Sequence, residues 1–247
     1  MRIILKASDV AAIIGRNKYK SRKEILDNLW KKYSPDTFTG KTKDEKVRET
    51  LALSSEAQNI LTKAVEIKAK DSSDVIKIFQ KAQEAINFDS KLDQSQKNEI
   101  IDHVRSAIYT THGIRSEDVT SDLVEKTSNM KLVRDDSFYF HDVCSVGEMD
   151  FVVCGKIDRI EETLDGKKVL VEIKNRTNRI FGHVVEYEMI QVQTYLQMLG
   201  LVHARLIEQH NARILIHDIT RDEEMWDNEI QPGLEAFCQE LAMHITK

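Results

Sequence analysis

Hydrophobic positions recur along this chain at two different spacings, and the change from one to the other divides it. The opening Arg2 to Leu5 is a short strand-like stretch. Ser8 then stands before an apolar run that ends at Gly15, which predicts a short helix with a serine N-cap and a glycine in the left-handed position past its end. Ser21 with Glu24 three residues on has the spacing of a capping box, and Ile25, Leu26, Leu29 and Trp30 make one stripe of a second helix to about Tyr33. Ser34 to Gly40 breaks the pattern with one of the chain's 2 prolines. From about Asp44 to Thr111 the spacing is helical throughout, carried by Val47 and Leu51, by Ile60, Leu61, Ala64 and Val65, by Val75, Ile78, Phe79, Ala82 and Ile86, and by Ile100, Ile101, Val104 and Ile108. Gly113 is predicted to close these helices.

Beyond Gly113 the period turns to alternation, in Ser137 to Val143, Met149 to Thr163 and Lys167 to Lys174. Leu164-Asp165-Gly166 joins the last two, and an Asp-Gly pair between alternating segments is a strong hairpin signal. Val184 to Leu199 returns to helix with Gly200 past its end, followed by strands over His203 to Glu208 and Arg213 to Ile219 and an acidic helix from about Asp222. The expected fold is α/β: a curled mixed β-sheet flanked by helices, with a helical insertion before a hairpin. One domain over 1–247 is expected, divided into N-terminal helices and loop (1–43), a helical region (44–112), a sheet with one helix (113–220) and a C-terminal helix (221–247).

Composition narrows the picture. A hydrophobic fraction of 41% and a charged fraction of 31% are those of a soluble protein, and no apolar run approaches a membrane span, so an intracellular protein with no membrane partner is expected. Cys144, Cys154 and Cys238 are odd in number and lack CxxC spacing, and the histidines show no HxH or HExxH pairing, which excludes disulfide and zinc frameworks. The net charge is −5, yet residues 1–50 hold 13 Lys/Arg against 7 Asp/Glu, whereas 218–247 hold 2 against 8. A polyanion is therefore expected to meet the N-terminal part. The run Arg16 to Lys23 is basic and carries Tyr19, an aromatic able to stack on an end base.

The chemistry concentrates in Gly155-Lys156-Ile157-Asp158, Val171-Glu172-Ile173-Lys174 and Gln191 to Tyr195. Residues two apart on a strand face the same way, so Glu172 and Lys174 share a surface and Val171 and Ile173 take the other. With Asp158 on the partner strand of the hairpin, two carboxylates and the main-chain carbonyl of Ile173 form an oxygen donor set for a hard divalent cation such as Mg²⁺. Metal-assisted phosphodiester cleavage, with one ion or two, suits this set; Lys174 would orient the attacking water or offset developing negative charge. The polar, basic Asn175 to Arg179 would touch a substrate backbone, Arg176 foremost.

These motifs resemble the PD-(D/E)xK nuclease superfamily and, within it, the lambda exonuclease and YqaJ-type viral recombinases related to the RecB nuclease domain. Asp158 with Glu172-Ile-Lys174 resembles the metal motif. Gln191-x-x-x-Tyr195 is similar to the QxxxY motif, whose side chains lie one helical turn apart. Lys6 to Asn17 resembles the N-terminal helix whose serine helps bind a terminal phosphate. The proline expected before the motif aspartate is absent, and Lys156 and Ile157 stand there instead.

The resemblance implies a restriction-endonuclease-like core and an exonuclease that uses Mg²⁺ or Mn²⁺ to degrade linear duplex DNA from its ends, 5′ to 3′, in viral or phage-type recombination. It implies catalytic roles for Asp158, Glu172, Lys174, Gln191 and Tyr195, and a further acidic metal ligand on an early helix, best matched by Glu56, with Glu49 and Glu66 as rivals. It also implies a 5′-phosphate pocket drawn from Ser8, Arg2, Arg16 and Gln191, with Lys156 as a phosphate contact. A single-strand annealing partner and a homo-oligomer are compatible with it. An endonuclease acting on DNA or RNA, and a catalytically silent nucleic-acid-binding scaffold, are the alternatives.

Overall fold

The alternating segments of the second half pair into two sheets, and the helical first half packs as a block beside them. The computed structural model describes residues 1–128 and 130–246. Strand β1 (Arg2–Lys6) runs through a 3-10 turn (Ala7–Asp9) into α1 (Val10–Ile13). Then come α2 (Arg22–Tyr33), α3 (Lys43–Ala52), α4 (Ser55–Glu66), α5 (Ser72–Phe88) and α6 (Gln94–Ser128). The strands β2 (Leu132–Arg134), β3 (Tyr139–Val146), β4 (Met149–Gly155), β5 (Arg159–Glu162) and β6 (Lys168–Asn175) follow. The chain closes with α7 (Glu186–Leu199), β7 (His203–His210), β8 (Arg213–Thr220), α8 (Glu223–Met225), a wide π turn (Trp226–Ile230) and α9 (Gln231–Ile245).

The architecture is mixed α/β. One sheet has the order β1-β4-β3 and the other β2-β5-β6-β7-β8. The expected long strand from Met149 to Thr163 is broken at 156–158, where the chain leaves the first sheet and enters the second. Gly155 ends β4 for a steric reason: a Cβ there would lie 2.7 Å from the Tyr195 ring and 2.9 Å from the Cβ of Ala7. Only glycine lets α7 and the 3-10 turn close over that strand end. The Asp-Gly hairpin forms between β5 and β6, with Gly166 at φ 77°. Strands β6 and β7 are parallel, so α7 is the crossover between them and lies against one face of β6.

Three apolar clusters follow from this layering. The largest joins α1, α7, α9 and the first sheet, with Leu170 and Leu206 of the second. A second lies within α3 to α6, and a third packs Val171, Ile173 and Ile207 against Val124 of α6. Strand β6 is thus covered on both faces, by α7 on one and by α6 on the other.

Several expectations about local structure are corrected. Ser8 is exposed inside the 3-10 turn and makes no capping bond, although Gly15 does take the left-handed conformation at φ 78°. Ser21 likewise makes no capping bond; reciprocal capping boxes form instead between Thr42 and Glu45, ahead of α3, and between Asp93 and Gln96, ahead of α6. Gly113 ends nothing: α6 runs through it to Ser128. A glycine inside a helix costs about 1 kcal/mol relative to alanine, less than the packing of Thr120, Ser121 and Val124 on the far side of it returns. The helical block therefore reaches Ser128, beyond the expected limit at 112. Among the described residues no helix is long and apolar enough to cross a membrane.

Candidate active site

The alternation of β6 places Glu172 and Lys174 on the α7 face, and α7 presents Gln191 and Tyr195 one turn apart to meet them. Glu172 is 3% exposed. Its Oε1 accepts from Lys174 Nζ at 2.8 Å and from Gln191 Nε2 at 3.1 Å. Lys174 Nζ also donates to Gln191 Oε1 at 3.2 Å, and Gln191 Nε2 donates to the Tyr195 hydroxyl at 3.3 Å. The other carboxylate oxygen of Glu172, Oε2, is buried and has no hydrogen-bond partner among the described residues. An unpaired buried carboxylate oxygen is costly, so it marks a place where a positively polarised group belongs.

Asp158 lies in the link 156–158 rather than on a strand of the hairpin, which corrects the expected placement on neighbouring strands. It still reaches the site, because β5 pairs with β6 only as far as Val171 and leaves the next main-chain groups of β6 open on that side. Asp158 Oδ2 takes the N–H of Ile173 at 2.8 Å. The N–H and C=O of one strand residue point to the same side, so the Ile173 carbonyl faces the same opening.

Burial dominates the electrostatics. It pushes Asp158 above the usual carboxylate range, against the lowering effect of the Ile173 N–H. Burial first and the neighbouring Asp158 second push Glu172 up as well. Burial alone would lower Lys174, but Glu172, Glu188 and Asp158 outweigh it and hold the ammonium form. Burial and the Glu172 charge raise the Tyr195 phenol, which stays a neutral hydroxyl.

The structure brings Asp158, Glu172, Ile173, Lys174, Gln191 and Tyr195 together and separates the rest. Glu56 is exposed in the first turn of α4, whose partners are α3, α5 and α6, and the serine before it serves as helix cap, Ser54 Oγ accepting from Ala57 N at 3.1 Å. The acid that faces the pair from the helices is Glu117 of α6, half-buried and raised by burial, and close enough for its charge to act on both Asp158 and Glu172. It stands one turn before Thr120, Ser121 and Val124 on the same helix face. That spacing was readable, but taking Gly113 as a helix end hid it. Among the described residues no three His, Cys, Asp or Glu side chains converge at ligating distance.

Arg176 is not available to a substrate backbone. Its side chain is 9% exposed, and the guanidinium forks onto Glu188 at 2.6 and 2.8 Å, with Nε on Glu208 at 2.7 Å. Glu208 also accepts from the N–H groups of Phe181 and Gly182 and lies 2.9 Å from His217 Nε2. This network ties the loop after β6 to β7 and to the first turn of α7. The expected phosphate pocket is likewise not assembled. Arg2 and Lys6 are the two ends of β1, about 13 Å apart at 3.3 Å per residue, and Arg2 lies over the Phe140 ring instead. Arg16 pairs with Glu186 and Glu229. Lys156 is exposed, over the Phe138 ring. Ser8 follows Ala7, which abuts Gly155 beside Tyr195, and so remains near the mouth of the site. A cavity of about 720 Å³ lies elsewhere, between α4, α5, α6 and the β7–β8 turn.

No family model matches this sequence, and no curated relative matches it. Among solved structures the chain is similar to an alkaline exonuclease from Laribacter hongkongensis, with a TM-score of 0.45 and 14% identity over 81% of this chain and 94% of that one. A complex of the same enzyme with dAMP gives a TM-score of 0.44 at 14% identity, over 77% and 88% of the two chains. A phage-related exonuclease from Haemophilus somnus 129PT gives 0.44 at 13% identity, over 99% and 97%. These are loose likenesses in the course of the chain, and the reading of the site rests on its own side chains.

Proposed function

We propose that this protein is a nuclease that hydrolyses phosphodiester bonds with the aid of a divalent cation held between Asp158 and Glu172. The observation that carries the reading is Glu172 Oε2, a buried carboxylate oxygen without a partner among the described residues, beside the half-buried carboxylate of Asp158. An all-oxygen set of Glu172, Asp158 and the Ile173 carbonyl fits Mg²⁺ or Mn²⁺, which keep several waters and need few protein ligands. Such an ion polarises a phosphoryl oxygen and lowers the pKa of an attacking water.

The chain's own groups do the remainder. Lys174 holds Glu172 by Oε1, leaving Oε2 free, and supplies a cation where phosphate charge builds up. Gln191 spans Glu172, Lys174 and Tyr195 and fixes their rotamers. Glu117, whose charge acts on both carboxylates from the α6 side, would assist by accepting from a water bound to the cation.

The substrate in this reading is linear duplex DNA attacked from its ends, 5′ to 3′, as in viral or phage-type recombination; the motif set Asp158, Glu172-x-Lys174 and Gln191-x-x-x-Tyr195 supports it. End-labelled linear duplex and covalently closed circular DNA, each with and without Mg²⁺, test it. Loss of label from the linear duplex only with Mg²⁺, and an intact circle, are expected. Cutting of the circle would replace the exonuclease with an endonuclease, and unchanged cleavage by Glu172→Gln would remove the site.

A further inference from the structure

A second cleft opens one helical turn from Gln191. Its volume is about 550 Å³, and its walls are the loop after α1, with Arg16, Lys18 and Tyr19, and the segment from Arg179 to Tyr187. Tyr19 is 73% exposed and offers its ring to the cleft. It is nonetheless held in place, edge-on to Tyr187 with ring centroids 5.7 Å apart and the Lys18 ammonium 5.0 Å from its centroid. Phe181 is 38% exposed and fixed by the Arg176 guanidinium 4.1 Å from its ring centroid, so the buried charge network braces this wall.

Charge in the cleft is unevenly spent. Arg16 is engaged by Glu186 and Glu229, whereas Lys18 and Arg179 have no ion-pair partner among the described residues. Aromatic faces between unspent cations are the chemistry that receives unpaired nucleotides, because every base has a π-face and every linkage a negative charge. Tyr187 precedes Gln191 by four residues, about 6 Å along α7, which is one to two nucleotide steps at 3.4 Å per strand. The segment carrying Arg179 and Phe181 leaves β6 directly after Lys174 and Asn175.

We infer that this cleft is a subsite for an unpaired nucleotide next to the bond being cut. Its base stacks on Tyr19 against Tyr187, and its phosphate meets Lys18 and Arg179. The inference rests on the nuclease reading for its place beside the reaction, but its test does not depend on cleavage. A fluorescein-labelled duplex with a short oligothymidylate tail is titrated with metal-free protein, and the same duplex is titrated with abasic residues in the tail. Tyr19→Ala is expected to weaken binding of the base-bearing tail about tenfold and to leave the abasic tail nearly unchanged, and Tyr19→Phe, which keeps the ring, to bind like wild type. Equal affinities of wild type and Tyr19→Ala for the base-bearing tail, or the same loss on both tails, would overturn the inference. A protein that distinguishes the two tails yet cuts nothing with Mg²⁺ would sink the nuclease reading and leave the subsite standing.

Discussion

Two clusters of buried charge lie side by side along β6 and α7, and they differ in one respect. Around Arg176 every charge is met: the guanidinium by Glu188 and Glu208, and Glu208 by two main-chain N–H groups and His217. Around Glu172 one carboxylate oxygen is left without a partner, next to a second carboxylate that burial also disfavours. The complete cluster is a brace between strand, loop and helix. The incomplete one is, in the nuclease reading, the place of the divalent cation. Buried charge alone therefore does not mark the site; a deficit within it does.

The comparison breaks most visibly in activity. Glu172→Gln or Asp158→Asn is expected to reduce cleavage by at least about a thousandfold, with circular dichroism and hydrodynamic radius unchanged. Asp158→Asn, which removes a carboxylate charge with no ion-pair partner among the described residues and keeps an acceptor for the Ile173 N–H, should also leave the melting temperature equal or raised, whereas Glu172→Gln strips Lys174 of its ion pair as well. Arg176→Ala should do the reverse in kind. Two carboxylates would remain buried without their cation, a loss of about 3–5 kcal/mol in a denaturant titration. A variant at Arg176 that is as stable as wild type would show that this network is not a brace.

A third test uses pH, with the sign set by the directions of the shifts. Glu172 and Asp158 are raised, so the folded protein holds their protons more tightly than the unfolded chain does. Their contribution to stability is present at low pH and is lost as pH rises from the ordinary carboxylate range towards neutrality. The melting temperature of metal-free wild type relative to Glu172→Gln should fall across that window. Added Mn²⁺ should lift it at neutral pH and much less at pH 5. Glu117→Gln is expected to slow cleavage by about ten- to a hundredfold in initial-rate assays, less than the loss of either member of the pair. Glu56→Ala gives the smallest effect, with stability within about 0.5 kcal/mol and the cleavage rate unchanged.

How much of this was legible in the sequence depends on range. The β6 site was, because Glu172, Lys174 and their apolar neighbours obey a period of two, and Gln191 and Tyr195 a period of four. The glycine ends at Gly15, Gly166 and Gly200 were legible too, since positive φ is a local demand. The break at 156–158 was not, because it is imposed by Tyr195 and Ala7 closing on Gly155 from distant parts of the chain. Glu117 was missed because a local rule about glycine was allowed to outrank a helical period that continues past it. Arg176 looked like a substrate contact because its two carboxylates, Glu188 and Glu208, lie on other elements and become neighbours only in the fold. The serines at positions 8 and 21 satisfied the capping pattern without capping, while Thr42 did so in fact.

In the proposed mechanism Glu172 and Asp158 together hold a catalytic divalent ion. Calorimetric titration of Mn²⁺ into wild type and into Glu172→Gln at neutral pH tests it most directly, because it reads the site without relying on a chosen substrate. Saturable binding by wild type and its loss in the variant is the result predicted. Equal binding by the two proteins, or none by wild type, would contradict it.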